Sequence, residues 1–186
     1  MKDGFQIRQV REEDWRQLRE LRLAALADPV ASVAFTERYE VAAARPDSFW
    51  RQRAAQGRTG RTDDGWPVTT FAAAPVPADT DDARWAGMLT VVVQDGTASV
   101  VGVYLRPEHR GSGLGGELFR AAEEWAWARD DVERLQLHVH EQNHRARAFY
   151  ERLGFVPTGE SDPHHRPPYG RAHVYVRERA SVRAGG

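Results

Sequence analysis

The sequence predicts an α/β fold, one domain over residues 1–186 built on a mixed sheet. Three observations predict it. Alternating runs of strand length are interspersed with stretches of helical periodicity, without an internal repeat or a second core. Asp95-Gly96 stands between two β-rich runs, a strong hairpin signal that makes the flanking strands antiparallel neighbours. Residues 100–115 then read as a strand, a proline-initiated turn and glycines that open a helix. With 186 residues, 41% hydrophobic and 28% charged, the chain can bury a sizeable core.

The elements follow in order. Residues 5–10 alternate apolar and polar and form the opening strand. Residues 11–27 are helical, with Trp15, Leu18, Ala25 and Leu26 on one stripe that also takes Leu21 or Arg22; Pro29 ends the run. Asp47-Ser48 caps a second helix carrying Phe49, Trp50 and Ala54, and Gly57 stops it. Residues 57–65 are polar and glycine-rich, a loop. Strands are expected at 68–74 and 85–94, with a proline and aspartate loop at 75–82 between them. The hairpin leads into a strand at 97–106. Residues 113–128 form a helix with Leu114, Leu118, Ala121, Ala122 and Trp125 on one face. In the strand at 134–140, Leu135, Leu137 and Val139 point one way and Gln136, His138 and His140 the other. A shorter helix at 143–153 is closed by Gly154. Phe155-Val156 begins another strand, and the last alternates His173, Tyr175 and Arg177 with Val174 and Val176.

Composition removes several chemistries. The 26 basic and 27 acidic residues leave a net charge of −1, so neither nucleic acid nor a membrane is an expected partner. Without cysteine there is no thiolate nucleophile, and with Lys2 as the only lysine there is no Schiff base or phosphate-loop lysine. No apolar leader is visible at the N-terminus, and the longest apolar run, residues 88–93, is far shorter than the ~20 residues that cross a bilayer. A cytoplasmic protein is expected. His164-His165 are adjacent and point apart in an extended chain, so they read as solvated loop residues and no metal site is expected.

The glycine turn is the most informative segment. Glycines at 111, 113 and 115 let a ligand approach backbone N–H groups at a helix start, where those groups have no intrahelical partner. The helix dipole adds partial positive charge, and Arg110 can add a charge-assisted contact. Such a turn suits a pyrophosphate. Gly111-x-Gly113-x-x-Gly116 satisfies a dinucleotide fingerprint literally, which keeps a nicotinamide-dependent oxidoreductase in view. Against it, residues 107–110 intervene between strand and first glycine, and the strand before is antiparallel to its predecessor.

Arg110-Gly111-Ser112-Gly113-Leu114-Gly115 resembles the Q/R-x-x-G-x-G/A motif of the GNAT N-acetyltransferase superfamily, and Val103-Tyr104-Leu105-Arg106-Pro107 resembles the strand that precedes it. A second block, Leu135-x-Leu137-x-Val139 followed by Asn143, Ala146, Phe149-Tyr150 and Gly154-Phe155, resembles the later strand and helix of that family. The resemblance covers roughly residues 98–156. It implies a mostly antiparallel twisted sheet flanked by helices on both faces, with a parallel strand pair that splays apart. Acetyl-CoA would lie in the gap as acyl donor, its pantetheine arm against Val103, Tyr104 and Leu105. Its pyrophosphate would rest on Arg110, Gly111, Ser112, Gly113, Leu114, Gly115 and Gly116, and Asn143, Ala146 and Phe149 would complete the cofactor site. Gly102 is compatible with a bulge that aims a backbone N–H at the thioester carbonyl.

On spacing alone Tyr150 reads first as packing a helix onto the sheet; by the same resemblance it is the general acid, donating to the departing sulfur. The general base is less legible. Many family members carry a glutamate on the strand before the glycine turn, whereas Ala98-Ser99-Val100-Val101 offers no carboxylate. His138 and His140, on one strand face, are candidates because imidazoles titrate near neutrality. Glu37 and Glu40 are alternatives acting through water. The acceptor pocket is expected from residues 35–40 and from a loop at 161–171 with Tyr169 as an aromatic wall. The expected activity is transfer of acetyl from acetyl-CoA to a primary amine, of a small molecule or a peptide, in a ternary complex. A non-catalytic acyl-CoA-binding module is the alternative, and a homodimer fits the resembled family.

Overall fold

In a computed structural model that describes residues 4–76 and 84–180, seven strands form one sheet. They are β1 (Phe5–Gln9), β2 (Val68–Pro75), β3 (Gly87–Gln94), β4 (Thr97–Leu105), β5 (Arg134–His140), β6 (Val156–His164) and β7 (Gly170–Glu178). Six helices accompany them: α1 (Trp15–Ala27), α2 (Ala31–Ala34), α3 (Tyr39–Ala43), α4 (Asp47–Thr59), α5 (Leu114–Trp127) and α6 (His144–Arg152). Lys2 and residues 77–82 of the expected proline and aspartate loop lie outside the described residues. The strand order is β1-β2-β3-β4-β5-β7-β6, and only β4 and β5 run parallel. Among the described residues no helix is long and apolar enough to cross a membrane.

Asp95 and Gly96 have φ of 48° and 74°, the positive values a two-residue hairpin turn needs, and β3 and β4 are antiparallel as expected. β4 does begin a parallel unit with α5 and β5, contrary to the expectation from the hairpin, but every other strand pair is antiparallel, unlike the mostly parallel sheet of a dinucleotide-binding fold.

Helices cover both faces because side chains alternate across each strand. Phe71 of β2, with Leu89, Val91 and Val93 of β3, packs on Leu118, Phe119 and Ala122 of α5 and on Tyr150 of α6. Ala72 and Ala74 face the other way, onto Leu18, Leu21 and Ala25 of α1 and Trp50 and Ala54 of α4.

Between α1 and α4 the chain forms the short helices α2 and α3, which the sequence gives too few turns to reveal. Two expected features are corrected. Gly57 does not stop α4, which continues to Thr59. A Cβ at Gly57 would overlap the Val10 carbonyl oxygen, so this glycine is a point of close approach between α4 and the end of β1. Gly57→Ala therefore destabilises by about 1–3 kcal/mol through overpacking, although alanine elsewhere in a helix would stabilise by about 1 kcal/mol. A urea midpoint that falls at unchanged m-value would register it.

The expected loop at 161–171 is also shorter. Residues 161–164 belong to β6, which pairs with β7 through Ser161↔His173, Asp162↔Ala172, Pro163↔Arg171 and His164↔Gly170. This pairing places His164 on the edge strand β6, opposite Gly170 of β7.

Candidate active site

β4 and β5 make only the pairs Thr97↔Arg134, Ala98↔Leu135 and Ser99↔Gln136. Beyond Ser99 they part, leaving their facing backbone edges without ladder partners. The divergence coincides with a bulge. Met88 pairs with Tyr104 but Thr90 pairs with Val101, so one residue of β3 opposes two of β4, and Gly102 takes φ 64° there. The extra residue reverses the side-chain alternation. Ala98 and Val100 face α5, as do Val103 and Leu105, whereas Tyr104 turns into the core beneath α1.

The gap opens into a cleft of about 740 Å³. Its floor is residues 100–105 of β4 and 137–140 of β5. One wall is the glycine turn, the start of α5 and the face of α6 that carries Asn143, Ala146, Phe149 and Tyr150; the other is Arg22, residues 33–36 and Arg53. The cleft thus joins the two faces of the sheet.

Gly111 and Gly113 take φ of 88° and 93°, left-handed backbone that glycine adopts without strain. Gly113 caps α5 without a side-chain bond. Among the described residues the amides of Gly111, Gly113, Gly115 and Gly116 have no protein acceptor outside the helix, while the Leu114 amide reaches Ser112 Oγ at 3.3 Å. Open donors at a helix start form an anion site. Ser112 and Leu114 do not line the cleft. The Ser112 hydroxyl donates to the His109 carbonyl at 2.7 Å, and the Leu114 side chain is buried beside Ala73 and Ala86. Gly115 lies against Phe149, where a Cβ would stand 3.0 Å from the ring.

Arg110 is committed within the protein. Its Nε donates to the Leu105 carbonyl at 3.0 Å and its Nη2 to Asp28 at 2.5 Å. Asp28, buried at the end of α1, also accepts from the Val30 amide at 3.0 Å and lies 3.4 Å from the Tyr104 hydroxyl. Burial, and then the Asp28 charge, raise the Tyr104 phenol above its ordinary value. Asp28 is thus the brace that fixes the glycine turn to α1. Sequence reasoning missed it; an acid just before Pro29, after an apolar stripe, is its only local signal.

Asn143 caps α6 by accepting from the Ala146 amide at 3.3 Å, which leaves its side-chain amide nitrogen without a protein partner among the described residues. Tyr150 is buried against Phe119, Phe149 and Phe155, with ring centroids 5.7, 5.6 and 6.2 Å away. No described residue hydrogen-bonds its hydroxyl. Burial raises its pKa well above the ordinary phenol value.

This shift has a measurable consequence. The folded protein holds the Tyr150 proton more tightly than the unfolded chain, whose tyrosines titrate near ~10. Stability is therefore intact below that pH and falls as pH climbs past about 10. In Tyr150→Phe this contribution vanishes. Thermal midpoints of the two proteins stay close near neutrality and separate above about pH 10, with the variant higher; parallel curves would refute the burial argument.

The candidate bases separate clearly. His138 lines the cleft and its Nε2 lies 3.1 Å from Asp162 Oδ2 on β6, leaving Nδ1 without a protein partner among the described residues. His140 also lines the cleft but is buried, with Nδ1 3.2 Å from the Gln142 amide and Nε2 3.1 Å from the Pro168 carbonyl. Both of its nitrogens are used by backbone. Glu40 is exposed, pairs with Arg38 at 3.4 Å and does not line the cleft. Glu37 pairs with Arg22. Tyr169 is 70% exposed and lies outside the cleft. His164, expected to be solvated, lines the cleft and packs edge-on to His140 at 4.8 Å.

Comparison with known proteins agrees with this geometry. The sequence model of the Acetyltransferase (GNAT) family matches residues 7–155. Over 78 residues, 42% of this chain and 51% of the relative, the sequence is 35% identical to a candidate ribosomal protein bS18-alanine N-acetyltransferase of Bacillus subtilis (strain 168). The chain therefore spans about half the length of that curated relative. Among solved structures, the PaiA N-acetyltransferase of Thermoplasma acidophilum in complex with coenzyme A superposes with a TM-score of 0.65 at 18% identity, over 94% of this chain and 99% of that one. The NAA60 protein of Arabidopsis thaliana in complex with acetyl-CoA superposes with a TM-score of 0.69 at 11% identity, over 94% and 98%. At these identities the likeness is one of fold.

Proposed function

Because the chain belongs to the GNAT acetyltransferase family, we propose that it transfers the acetyl group of acetyl-CoA directly to an amine acceptor, the whole chain acting as one catalytic domain. The observation that carries this is the parting of β4 and β5 beyond Ser99 beside a helix start with open amides. The chain's own groups suit the donor. Amides of Gly111, Gly113, Gly115 and Gly116 are placed to hold its pyrophosphate, and the unpaired edge of β4 at Val103, Tyr104 and Leu105 to hold its pantetheine arm. Asn143, Ala146 and Phe149 line the same stretch. Arg110 acts at one remove in this scheme: it holds the turn in shape through Asp28 and Leu105.

The thioester supplies an activated acetyl group. The amine nitrogen forms the new bond to the carbonyl carbon as the carbon–sulfur bond breaks. Tyr150, kept protonated by its burial, donates to the sulfur as charge develops there. His138, held at Nε2 by Asp162, accepts the proton released by the amine at Nδ1. Of the candidate bases, only this imidazole combines a place in the cleft with a free nitrogen. The absence of cysteine agrees with direct attack.

Thiol release from acetyl-CoA, followed across a panel of primary amines with mass detection of the product, tests the proposal. Release that depends on an amine and yields the acetylated amine is expected. Tight coenzyme binding with no transfer to any amine would favour the non-catalytic module instead. His138→Asn should lower kcat by about 10²-fold; an unchanged kcat would remove His138 from the role.

A further inference from the structure

Two arginines, Arg22 and Arg53, stand on the wall opposite the glycine turn. Of the pair the sequence leaves open in α1, Leu21 joins the core stripe and Arg22 is buried at the cleft. Its side chain is 9% exposed, its Nε and Nη2 donate to Glu37 at 3.1 and 2.9 Å, and its guanidinium lies 4.7 Å over the Phe35 ring. The third group, Nη1, is buried without a partner among the described residues. Arg53, from α4, is half-buried and lines the same cleft. Among the described residues no carboxylate or carbonyl pairs with it. Its charged neighbours are Arg22, Glu37 and Arg45, so two cations and one anion surround it.

Glu37 is one negative charge against the positive charges of Arg22, Arg45 and Arg53, so the cluster keeps surplus positive charge. A guanidinium does not deprotonate to escape such a place. The surrounding lining, Val30, Val33, Ala34 and Phe35, is apolar, which strengthens any charge interaction made there. A buried donor without an acceptor carries a desolvation cost that a ligand oxyanion removes. The planar fork of Arg53 matches the oxygens of a carboxylate or a phosphate.

We propose that this end of the cleft is an oxyanion subsite, in which Arg53, beside the positive charge of Arg22, holds a carboxylate or phosphate of the acceptor, so that the preferred substrate is an anionic amine. The word acceptor rests on the acetyl-transfer proposal; the anion subsite itself does not. Burial, then the Arg22 charge, lower the Arg53 value, in keeping with a site that gains by taking up negative charge.

The test uses the full chain and has two arms. In the first, the Arg53 Nε–H resonance, identified by its loss in Arg53→Lys, is followed while acetate or inorganic phosphate is added to coenzyme A-saturated protein. A saturable shift in the millimolar range with one of the two anions is expected, and the responding anion names the source chemistry. Arg53→Gln should abolish anion binding at this end, read on the Phe35 ring signals, and Arg53→Lys should retain part of it. In the second, kcat/KM is compared within matched pairs: a peptide with a free C-terminus against its amide, and phosphoethanolamine against ethanolamine. The anionic member should be preferred, and Arg53→Gln should reduce that preference about tenfold. An Arg53 resonance indifferent to both anions, or a preference unchanged in Arg53→Gln, overturns the subsite. If no amine is acetylated while the anion shift is present, the acetyl-transfer reading fails and the subsite stands.

Discussion

Tyr150→Phe is expected to lower kcat by about 10²- to 10³-fold while changing the KM for acetyl-CoA by less than about threefold. The ring sits in a cluster with Phe119, Phe149 and Phe155, and phenylalanine preserves that packing. Only the hydroxyl is lost. Since no described residue hydrogen-bonds it, its removal leaves no buried protein group unpaired, and the unfolding midpoint near neutrality should stay within about 0.5 kcal/mol of wild type. The combination matters: a purely structural tyrosine would lose stability without a selective fall in kcat. Because burial raises the phenol, its ionisation should also contribute no loss of activity below about pH 10. A variant with wild-type kcat would remove Tyr150 from the chemistry.

The largest loss of stability is expected from Asp28→Ala, about 3–5 kcal/mol. Its side chain is 2% exposed and bonded to Arg110 at 2.5 Å, and its other oxygen accepts the Val30 amide at the start of the segment leading into α2. Truncation leaves the Arg110 guanidinium half-buried beside Tyr104 without its counter-charge, and the cost of that unpaired cation exceeds the contribution of the pair itself. The glycine turn loses its tie to α1 at the same time, so coenzyme A affinity, read by calorimetry, should fall with stability. Asp28→Ala combined with Arg110→Gln should destabilise by at least about 1 kcal/mol less than the sum of the single changes. Strict additivity would show that the two residues do not act as one brace.

Local chemistry made much of this fold legible. Asp95-Gly96 announced its own turn, Gly154 closed its helix with φ 86°, and Gly113 opened another, because each needs backbone that few other residues adopt. The bulge at Gly102 could be anticipated for the same reason. The parting of β4 and β5 was different: no residue pattern in either strand encodes it, and it entered through family resemblance. Features that depend on distant partners stayed hidden. Gly57 looked like a helix stop because its contact, the Val10 carbonyl, is 47 residues away in sequence. The pairing of His138 with Asp162 follows from the β5-β7-β6 order, which brings together strands that the sequence separates by a helix. Arg22 and Asp28 carry charge into an apolar setting, and such misfits in an otherwise periodic helix are the signal that could have marked them.

The central claim is that the donor lies between the diverging strands with its pyrophosphate on the glycine turn, and a crystal structure of the protein grown with coenzyme A tests it most directly. The account predicts phosphate oxygens within about 2.7–3.2 Å of amides among Gly111, Gly113, Gly115 and Gly116, with the pantetheine arm running along β4 past Val103 and Leu105. Coenzyme bound elsewhere on the protein, or β4 and β5 paired to their ends with nothing between them, would contradict it.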